Sequence, residues 1–528
     1  MGALGRIYRI SFLAVIGGAL FGFDISSMSA IISTQPYLCQ FNERGLDAKG
    51  RCLGPSATTQ GGITAAMPGG SFVGALVSGW LSDRFGRKRS ILIGSLFWIL
   101  GSILVCASVN IPMLIVGRFV NGFSVGICSA QVPVYLTEIA PPSVRGRLVG
   151  LQQWAITWGI FVMYLICYGC AFVEGSGAFR IPWALQMLPA VGLFGGLLRE
   201  PESPRWLLKK GRETEAQNVL ALLHSNGDTT SHFVSTELHQ IKTAVSQEQE
   251  HADANWSEVF APTMLNRTLI GIFIQVWSQL TGMNVMMYYI TYVFTMAGID
   301  DVLGSSAIGF SLNVVMTVPA LLWLDVWGRR PPLLIGSALM CVFLTVNAVL
   351  LAVFSRTPQP GEFTSASESM AISGAPAKAV IASTCLFVAS YAPTWGPVSW
   401  VYPPELFPLR LRSKAVALAT SANWAFNFAL AYFVPVAFEN ITWKTYVIFA
   451  VFCAVMHLHV FFFFPETANK NLEEVAEIFD GEQDGAIKYI GTPAWKTRND
   501  RHARIIRDFM SSDESDIAAG QAKASEAV

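Results

Sequence analysis

Long apolar runs constrain the fold of this chain more than any other feature of its sequence. About twelve stretches are apolar over a length of about 20 residues, which is what one helix needs to cross a bilayer. The hydrophobic residues, 52% of the 528, are concentrated in these runs instead of being dispersed as in a soluble core. The chain is therefore predicted to be an all-α membrane protein with twelve transmembrane helices. The predicted spans lie near 10–32, 62–82, 90–109, 112–136, 150–172, 181–198, 268–294, 305–325, 332–354, 380–402, 414–436 and 444–464.

Positively charged segments between the runs predict the orientation. Lys and Arg collect in 83–89, 143–147, 328–330 and 408–414, which alternate with loops poor in cations. Because cytoplasmic loops collect these residues, both termini are expected inside. The first external loop, 34–60, also carries cations and departs from the rule. Basic and acidic residues balance at 36 each, so nothing in the charge indicates a nucleic-acid partner.

Three loop motifs occur twice, in the same order in each half of the chain. The paired segments are GWLSDRFGRK and WLDVWGRRP (79–88 and 323–331), YLTEIAPPSVRGR and YPPELFPLRLR (135–147 and 402–412), and PESPRW and PETANK (201–206 and 465–470). Six helices repeated with the same loop motifs are the parallel-repeat plan of a major-facilitator transporter.

The repeats divide the chain into four predicted segments. Two six-helix bundles flank a polar linker, whose apolar positions recur at heptad-like spacing and predict short amphipathic cytoplasmic helices. A polar cytoplasmic tail follows and is expected to be disordered at its end. The segments are the N-terminal bundle 1–198, the linker 199–266, the C-terminal bundle 267–464 and the tail 465–528.

The repeated loops place charges of both signs at the predicted cytoplasmic helix ends. One interpretation treats them as solvated topology signals. The other, favoured by their paired recurrence, is a network of salt bridges that closes the cytoplasmic side and breaks when it opens. Each exposed pair would stabilise the closure by less than about 1 kcal/mol, so only a network would matter. The residues are Asp83, Arg84, Arg87, Glu138, Arg145, Glu202, Asp325, Arg329, Arg330, Glu405, Arg412 and Glu466.

Amide and indole side chains recur within the predicted spans. Gln275 and Gln279 are four residues apart and so lie on one face of the seventh span. Such groups either join helices by hydrogen bonds or bind a sugar, whose hydroxyls suit amides and whose C–H face stacks on an indole. Arg118 is the one fixed cation expected near this cavity, which disfavours an anionic substrate. The candidate residues are Gln153, Gln275, Gln279, Asn284, Asn313, Trp400, Trp424 and Asn427.

Histidines and cysteines give no sign of a metal site or of catalysis. His457 and His459 are two residues apart and point in different directions on a helix. No metal, cofactor or enzymatic reaction is therefore predicted. Cys39 and Cys52 share the first external loop, an oxidising location, where a disulfide and two free thiols are both compatible with the sequence.

The motifs resemble those of the sugar porter family within the major facilitator superfamily. The similarity extends over about residues 8–480 and includes GWLSDRFGRK, PESPR, QLTGMNVMMYY, WGPVSWVYPPELFP and PET in that order. FGFDISSMSA and TTQGGITAAM are most similar to fungal high-affinity glucose and hexose proton symporters. Ser278 departs from the family, in which a second Gln is frequent, and Ala392 stands where animal glucose facilitators carry an acidic residue. The resemblance implies sugar contacts at Gln153, Gln275, Gln279, Asn284, Asn313, Trp400 and Asn427.

One carboxylate, Asp24, lies inside the first predicted span, where an unpaired charge is costly. At 1.5 Å per residue it is about 12 Å from the outer end of its span, and Arg118 in the fourth span is about 9 Å from the same surface. The two would form either a static salt bridge or a coupling site, in which movement of Arg118 switches the acid between binding and releasing a proton. The resemblance favours coupling, since proton-coupled members have Asp facing this Arg and facilitative animal carriers have Asn.

The sequence thus predicts a plasma-membrane transporter that imports a hexose, with glucose as the favoured substrate, together with a proton by alternating access. Its expected partners are the sugar, the proton and the lipid bilayer, and it is expected to act as a monomer. Two alternatives stay open. One is a facilitative or differently selective porter for xylose, another polyol or quinate, and the other is a sugar sensor that transports little.

Overall fold

The computed structural model describes residues 3–32, 34–46, 50–141, 144–249, 256–284, 286–287, 302–357 and 371–468, with Val475 and Phe479. Over these ranges the regular secondary structure is helical, apart from two isolated bridges, Leu46 with Cys52 and Arg356 with Ala371. The predicted all-α architecture is confirmed. The end of the predicted tail and most of the outer part of the seventh predicted span lie outside the described residues.

The described helices form two halves with a linker between them. The N-terminal half contains α1 (Ala3–Ala14), α2 (Ile16–Ile31), α3 (Gln35–Gln40), α4 (Ala57–Phe85), α5 (Arg87–Cys106), α6 (Ile111–Ile139), α7 (Arg145–Cys170), α8 (Gly177–Leu185) and α9 (Met187–Leu197). The linker contains α10 (Pro204–Lys209), α11 (Glu213–His224), α12 (His232–Gln249) and a 3-10 helix (Trp256–Phe260). The C-terminal half contains α13 (Pro262–Leu280), α14 (Val302–Trp327), α15 (Arg330–Phe354), α16 (Ala375–Tyr391), α17 (Trp395–Leu406), α18 (Leu409–Asn440) and α19 (Lys444–Phe463).

Eleven of the predicted spans fall on one helix or on two consecutive helices, the described part of the seventh begins on α13, and most helices extend beyond the predicted ends. Among the described residues, eight helical stretches are long and apolar enough to cross a membrane. α4 falls below that threshold because Gly, Ser and Thr dilute its apolar residues. These small residues serve packing, since a Cβ at Gly70 or Gly74 would overlap the backbone of α6. The count of twelve spans and the cytoplasmic location of both termini remain predictions.

Two of the closely packed helix pairs of the N-terminal half are α2/α7 and α4/α6. In the first pair, a Cβ at Gly22 would overlap the carbonyl oxygen of Ile156. In the second, a Cβ at Gly122 would overlap the carbonyl oxygen of Met67. Such backbone contact requires glycine and favours motion of each pair as a unit. The two halves meet along α4 with α18 and α7 with α14.

Two breaks in the helices of the C-terminal half shape the space between the halves. α16 and α17 are separated at Pro393, which has no N–H for the helical hydrogen bond. The backbone N–H of Thr394 donates to the carbonyl oxygen of Tyr391 at 3.1 Å, and its hydroxyl donates to the carbonyl oxygen of Ser390 at 2.6 Å in place of the helical N–H bond. α13 ends just before Gly282, whose φ of +83° is a conformation that favours glycine. Each break redirects the backbone beside the cavity.

The linker helices form a small apolar core of their own. α10, α11 and α12 pack together through Trp206, Leu220 and Ile241, among others. Their outer faces are polar, with exposed ion pairs such as Arg212 with Glu215. This is the arrangement that short amphipathic helices adopt outside a membrane.

Candidate functional site

A cavity lies between the two halves, where polar side chains of several predicted spans converge. Its wall in the N-terminal half consists of Phe21 and Ile25 of α2 and Gln153, Ile156 and Ile160 of α7. Its wall in the C-terminal half consists of Ser278, Gln279, Met283, Asn284, Met287, Asn313, Tyr391 and Trp400. One wall is apolar except for an amide, and the other carries amides, hydroxyls and an indole. Such a cavity suits a ligand with one hydroxylated edge and one C–H face.

Gln279 is the centre of an amide cluster in the C-terminal half. Its Nε2 donates to Oδ1 of Asn423 at 2.7 Å. Its Oε1 accepts from Nδ2 of Asn284 at 2.7 Å and from Nδ2 of Asn427 at 3.0 Å. The turn at Gly282 brings Asn284 back towards Gln279. The cluster therefore fixes the orientation of four amides without a ligand.

One hydrogen bond crosses the cavity from half to half. Nε1 of Trp400, on α17, donates to Oε1 of Gln153, on α7, at 3.1 Å. The indole that was predicted to stack on a sugar thus lies at the boundary between the halves. A ligand bound beside it contacts both halves at once.

Trp424, another of the predicted substrate contacts, lies outside the lining in this conformation. Its Nε1 donates to the hydroxyl of Ser129 at 3.1 Å. Its ring packs edge-on against Phe21, with the ring centres 4.7 Å apart. Because both neighbours belong to the N-terminal half, the indole fills the seam between the halves and is not exposed to the cavity in this conformation.

Several buried amide atoms around the cavity have no hydrogen-bond partner within the described part of the chain. Gln275 and Asn427, two of the predicted contacts, lie behind the lining, and Nε2 of Gln275 donates to the carbonyl oxygen of Ser399 at 2.8 Å. An unsatisfied buried polar group costs about 1–3 kcal/mol, so ligand hydroxyls or ordered water would stabilise these amides. The unpartnered atoms are Oε1 of Gln275, Oδ1 of Asn313, Nδ2 of Asn423 and Oδ1 of Asn427.

Two polar residues of this region were missed by sequence reasoning. Asn423 is four residues before Asn427 on α18, and that spacing is a signal that both amides face the same side. Tyr391 ends α16 and places its hydroxyl 3.2 Å from the hydroxyl of Ser278. No pattern in the sequence separates this tyrosine from one that faces lipid or a dry core.

Asp24 and Arg118 are brought into contact, as their matching depth predicted. Nη1 and Nη2 of Arg118 donate to Oδ1 and Oδ2 of Asp24 at 3.2 and 3.0 Å. Nε of Arg118 donates to the carbonyl oxygen of Ile63 at 2.8 Å. Both residues are 1% exposed, so each charge is removed from water and compensated mainly by the other. The ion pair links α2 to α6, and the contact with Ile63 links Arg118 to α4 as well.

Arg87 and Glu138 form a buried ion pair at the end of the N-terminal half predicted to face the cytoplasm. Nε and Nη2 of Arg87 donate to the carboxylate at 2.9 and 3.0 Å, and the hydroxyl of Ser203 also donates to it. Glu202 accepts from the backbone N–H groups of Arg87 and Lys88 at 2.9 and 3.0 Å, at the start of α5, where the helix dipole favours a carboxylate. Burial raises the pKa of Glu202, although these N–H groups act in the opposite direction.

The C-terminal half contains the same arrangement. Nε and Nη2 of Arg329 donate to Glu405 at 3.1 and 2.7 Å, and the hydroxyl of Thr467 donates to Glu405 at 2.8 Å. Glu466 accepts from the backbone N–H groups of Arg329 and Arg330 at 2.8 and 3.1 Å, at the start of α15. The repeated loop motifs therefore build one cluster in each half.

Two contacts connect the clusters of the two halves. The backbone N–H of Arg147 donates to Oδ2 of Asp325 at 2.9 Å, and Oδ1 of Asp325 lies 3.2 Å from Nη1 of Arg329. Nη1 of Arg412 lies 3.9 Å from Oε1 of Glu138. Separation of the halves at this end would break both contacts.

Arg84 and Arg145 were also predicted to belong to this network. Arg84 is exposed and lies over the rings of Trp80 and Phe85, away from both clusters. The interpretation as a solvated charge therefore fits Arg84 better. Arg145 is buried at the start of α7.

Replacing Glu405 by glutamine is expected to lower the free energy of unfolding by about 2 kcal/mol, because the buried guanidinium of Arg329 loses the charge of its bidentate partner and keeps that of Asp325. The change is measured as a lower melting temperature of the purified protein in detergent. Glu213→Gln is the matched control, since Glu213 pairs with Lys242 at 2.6 Å on the exposed surface. Such a pair contributes at most about 1 kcal/mol. Equal melting temperatures for the two variants would contradict a structural role of the cluster.

Cys39 and Cys52 form a disulfide in the predicted external loop, with their Cα atoms 5.1 Å apart. The short helix α3, which carries Cys39, packs on the outer helix ends through the rings of Tyr37 and Trp183. Nε2 of Gln40 donates to the carbonyl oxygen of Val109 at 3.4 Å. The disulfide thus closes a loop that is already docked on the bundle.

Replacing both Cys39 and Cys52 by serine is expected to destabilise this loop by about 3 kcal/mol, since the closed segment has a separation of 13 residues. Limited proteolysis of the purified protein measures the effect as faster cleavage within the loop. A reducing agent should produce the same cleavage in the unsubstituted chain and no further change in the double variant. Equal cleavage rates of the oxidised chain and the double variant would count against this expectation.

Comparison with known proteins places the chain in a family. The family model described as "Sugar (and other) transporter" matches residues 10–479. The MFS glucose transporter mfs1 of Aspergillus flavus is 44% identical over 93% of this chain and 92% of its own length. The high-affinity glucose transporter of Kluyveromyces lactis is also 44% identical, over 94% of this chain and 87% of its own length.

A solved structure shows the same fold. The proton:xylose symporter XylE bound to 6-bromo-6-deoxy-D-glucose is 25% identical and superimposes with a TM-score of 0.76, covering 90% of this chain and 99% of the symporter. The family match, the two relatives and this superposition agree with the paired motifs and the two helical halves. The chain is thus a multi-pass membrane protein that belongs to the sugar transporter family of the major facilitator superfamily.

Proposed function

We propose that this chain imports a hexose, with glucose as the favoured substrate, together with a proton, by alternating access across the plasma membrane. One observation carries the proposal: the buried carboxylate and the cavity share a helix pair. Asp24 lies on α2, and the described cavity residues of the N-terminal half all lie on α2 or α7. A change in the charge of Asp24 therefore acts on the pair of helices that forms one wall of the cavity.

The proton acts on the junction between the helix pairs α2/α7 and α4/α6. Arg118 keeps its contact with Ile63 of α4, so its guanidinium stays with the second pair. When Asp24 is ionised, the bidentate contact joins the two pairs. Binding of a proton to the Asp24 carboxylate removes its charge and weakens the contact, which frees α2/α7 to shift. The apolar wall of the cavity then moves with these helices.

The sugar acts on the opposite wall and on the boundary between the halves. Amides oriented around Gln279 bind hydroxyl groups, and the unpartnered amide atoms supply further donors and acceptors. Trp400 and Gln153 contact the ligand from opposite halves. Closure of the halves around the sugar, followed by rupture of the Arg412–Glu138 and Arg147–Asp325 contacts, would open the cytoplasmic side.

The relatives support the chemistry of this proposal. Two of them are named glucose transporters, and the solved symporter is named for protons and xylose. The cavity and the coupling pair are formed within one chain, which supports function as a monomer. None of the proposed steps makes or breaks a covalent bond of the sugar, so we assign no enzymatic role.

Uptake of labelled glucose in cells that lack their own hexose transporters tests the proposal. The expected result is accumulation above the external concentration that a proton uncoupler abolishes. Uptake that is indifferent to the uncoupler would support a facilitative porter instead. A chain that reaches the cell surface and neither transports nor restores growth on glucose would support a sensor.

A further inference from the structure

Two hydroxyl groups meet in the wall of the cavity in the C-terminal half. Oγ of Ser278, on α13, lies 3.2 Å from Oη of Tyr391, at the end of α16. Both residues line the cavity, and both are buried. Ser278 directly precedes Gln279, so the hydroxyl pair adjoins the amide cluster.

Both positions are held by the two helix breaks of this half. The hydroxyl of Thr281 donates to the carbonyl oxygen of Ser278 at 2.7 Å, beside the turn at Gly282. The backbone N–H of Thr394 donates to the carbonyl oxygen of Tyr391 at 3.1 Å, across the break at Pro393. The pair therefore presents its hydroxyls from fixed backbone positions, as a preorganised binding group requires.

The pair has hydrogen-bonding capacity to spare. Within the described residues, the contact between them is the one hydrogen bond that each hydroxyl makes. Each hydroxyl has one donor hydrogen and two acceptor lone pairs, so their mutual bond leaves one hydrogen and several lone pairs unused. Either oxygen can be the donor, which lets the pair donate to or accept from a ligand hydroxyl.

An interhelical hydrogen bond that only joins α13 to α16 would need no such placement. A purely structural bond is satisfied equally well behind the lining, as the bond from Nε1 of Trp395 to the carbonyl oxygen of Leu333 at 2.9 Å shows. The hydroxyls of Ser278 and Tyr391 instead lie at the cavity, where leaving capacity unused is costly unless a ligand or water takes it up.

We propose that Ser278 and Tyr391 form a specificity pair that binds one particular hydroxyl group of the transported hexose. This inference rests on the proposed function as a hexose transporter and adds the residues that recognise the hydroxyl group at one position of the sugar. A site built to bond a hydroxyl discriminates against an analogue that lacks it, because the protein groups are then left unpaired.

The test measures how strongly monodeoxy-D-glucoses inhibit the uptake of labelled glucose. Each of these analogues lacks a different hydroxyl group, and each gives an inhibition constant that is compared with that of unlabelled glucose. For the unsubstituted chain, the inhibition constant of one of these analogues is expected to be about tenfold above that of glucose through this contact. In Tyr391→Phe, the constant for glucose should rise about tenfold while that for this analogue stays unchanged. The ratio of the two constants therefore falls to near one. Ser278→Ala, which leaves the aromatic packing intact, should abolish discrimination at the same sugar position.

Tyr446→Phe is the matched control, because Tyr446 is a buried tyrosine of α19 that does not line the cavity. This variant should leave the ratio of the inhibition constant of each analogue to that of glucose unchanged. Two results would overturn the proposal and leave hexose transport standing. One is an equal rise of the inhibition constants of glucose and of all analogues in Tyr391→Phe. The other is an unchanged set of inhibition constants in both Tyr391→Phe and Ser278→Ala, with uptake intact. Absence of glucose uptake by the unsubstituted chain at the cell surface would overturn the proposed function and this inference with it.

Discussion

Replacing Asp24 by asparagine is expected to abolish accumulation of sugar against a gradient and to leave equilibration across the membrane intact. Asparagine keeps the size of the side chain and, like a protonated carboxyl group, has one accepting oxygen and one donating group, but it cannot bind or release a proton. The cavity residues are untouched, so sugar still binds and the halves can still alternate. The proton gradient, however, no longer drives the cycle. The measurement is the ratio of internal to external labelled glucose in energised cells or proteoliposomes.

The matched control for Asp24→Asn is Asp228→Asn in the linker. Asp228 is exposed and accepts from the backbone N–H and the hydroxyl of Thr230 at 2.9 and 2.7 Å. This variant should accumulate glucose like the unsubstituted chain. Undiminished concentrative uptake by Asp24→Asn would show that the buried ion pair only joins helices.

Replacing Gln279 by alanine is expected to reduce the apparent affinity for glucose by about 100-fold or more. The change removes the amide that bonds Asn423, Asn284 and Asn427, and it leaves two buried amides and the half-buried amide of Asn284 without this partner. Loss of one buried partner costs about 1–3 kcal/mol, and the direct contact with the sugar is lost as well. The effect is measured as a rise in the glucose concentration for half-maximal uptake.

Gln217→Ala provides the control for Gln279→Ala. Gln217 lies in the linker, where its Nε2 donates to the carbonyl oxygen of Thr229 at 3.2 Å, far from the cavity lining. Its removal should not change the half-saturation concentration. A Gln279→Ala variant with unchanged half-saturation would mean that the amide cluster is interhelical packing and that the sugar binds elsewhere.

The helices and the level of the buried charges could be predicted from the sequence because both follow local rules. A membrane span needs about 20 apolar residues, and depth along a helix follows from 1.5 Å per residue. These rules put Asp24 and Arg118 at one level, and the structure brings them into contact. The paired loop motifs likewise indicated charge clusters at matching places in both halves.

Partners that come from distant elements could not be predicted, because they depend on how the helices pack. Glu138 contacts Arg87, which lies 51 residues earlier and in a different loop motif. Ser278 and Tyr391 are 113 residues apart and meet only because two helix breaks turn towards one cavity. The position of Trp424 depends on packing in the same way. This residue lies on a helix next to the site, but its side chain points into the seam between the halves.

The two halves repeat their charged clusters but not their cavity walls. Arg87 with Glu138 and Arg329 with Glu405 form the same arrangement, one in each half. The amide cluster belongs to the C-terminal half, and the ion pair of Asp24 belongs to the N-terminal half. In the proposed cycle, sugar recognition would therefore belong mainly to one half and proton binding to the other, and the two would be coupled at the boundary between them.

Proton movement caused by sugar is the most direct test of this account. The purified chain is reconstituted in proteoliposomes that contain a pH-sensitive dye, and glucose is added outside without an imposed pH gradient. Glucose-dependent acidification of the vesicle interior is expected with the unsubstituted chain and is expected to be absent with Asp24→Asn. Entry of labelled glucose into the same vesicles without any acidification would contradict proton-coupled import.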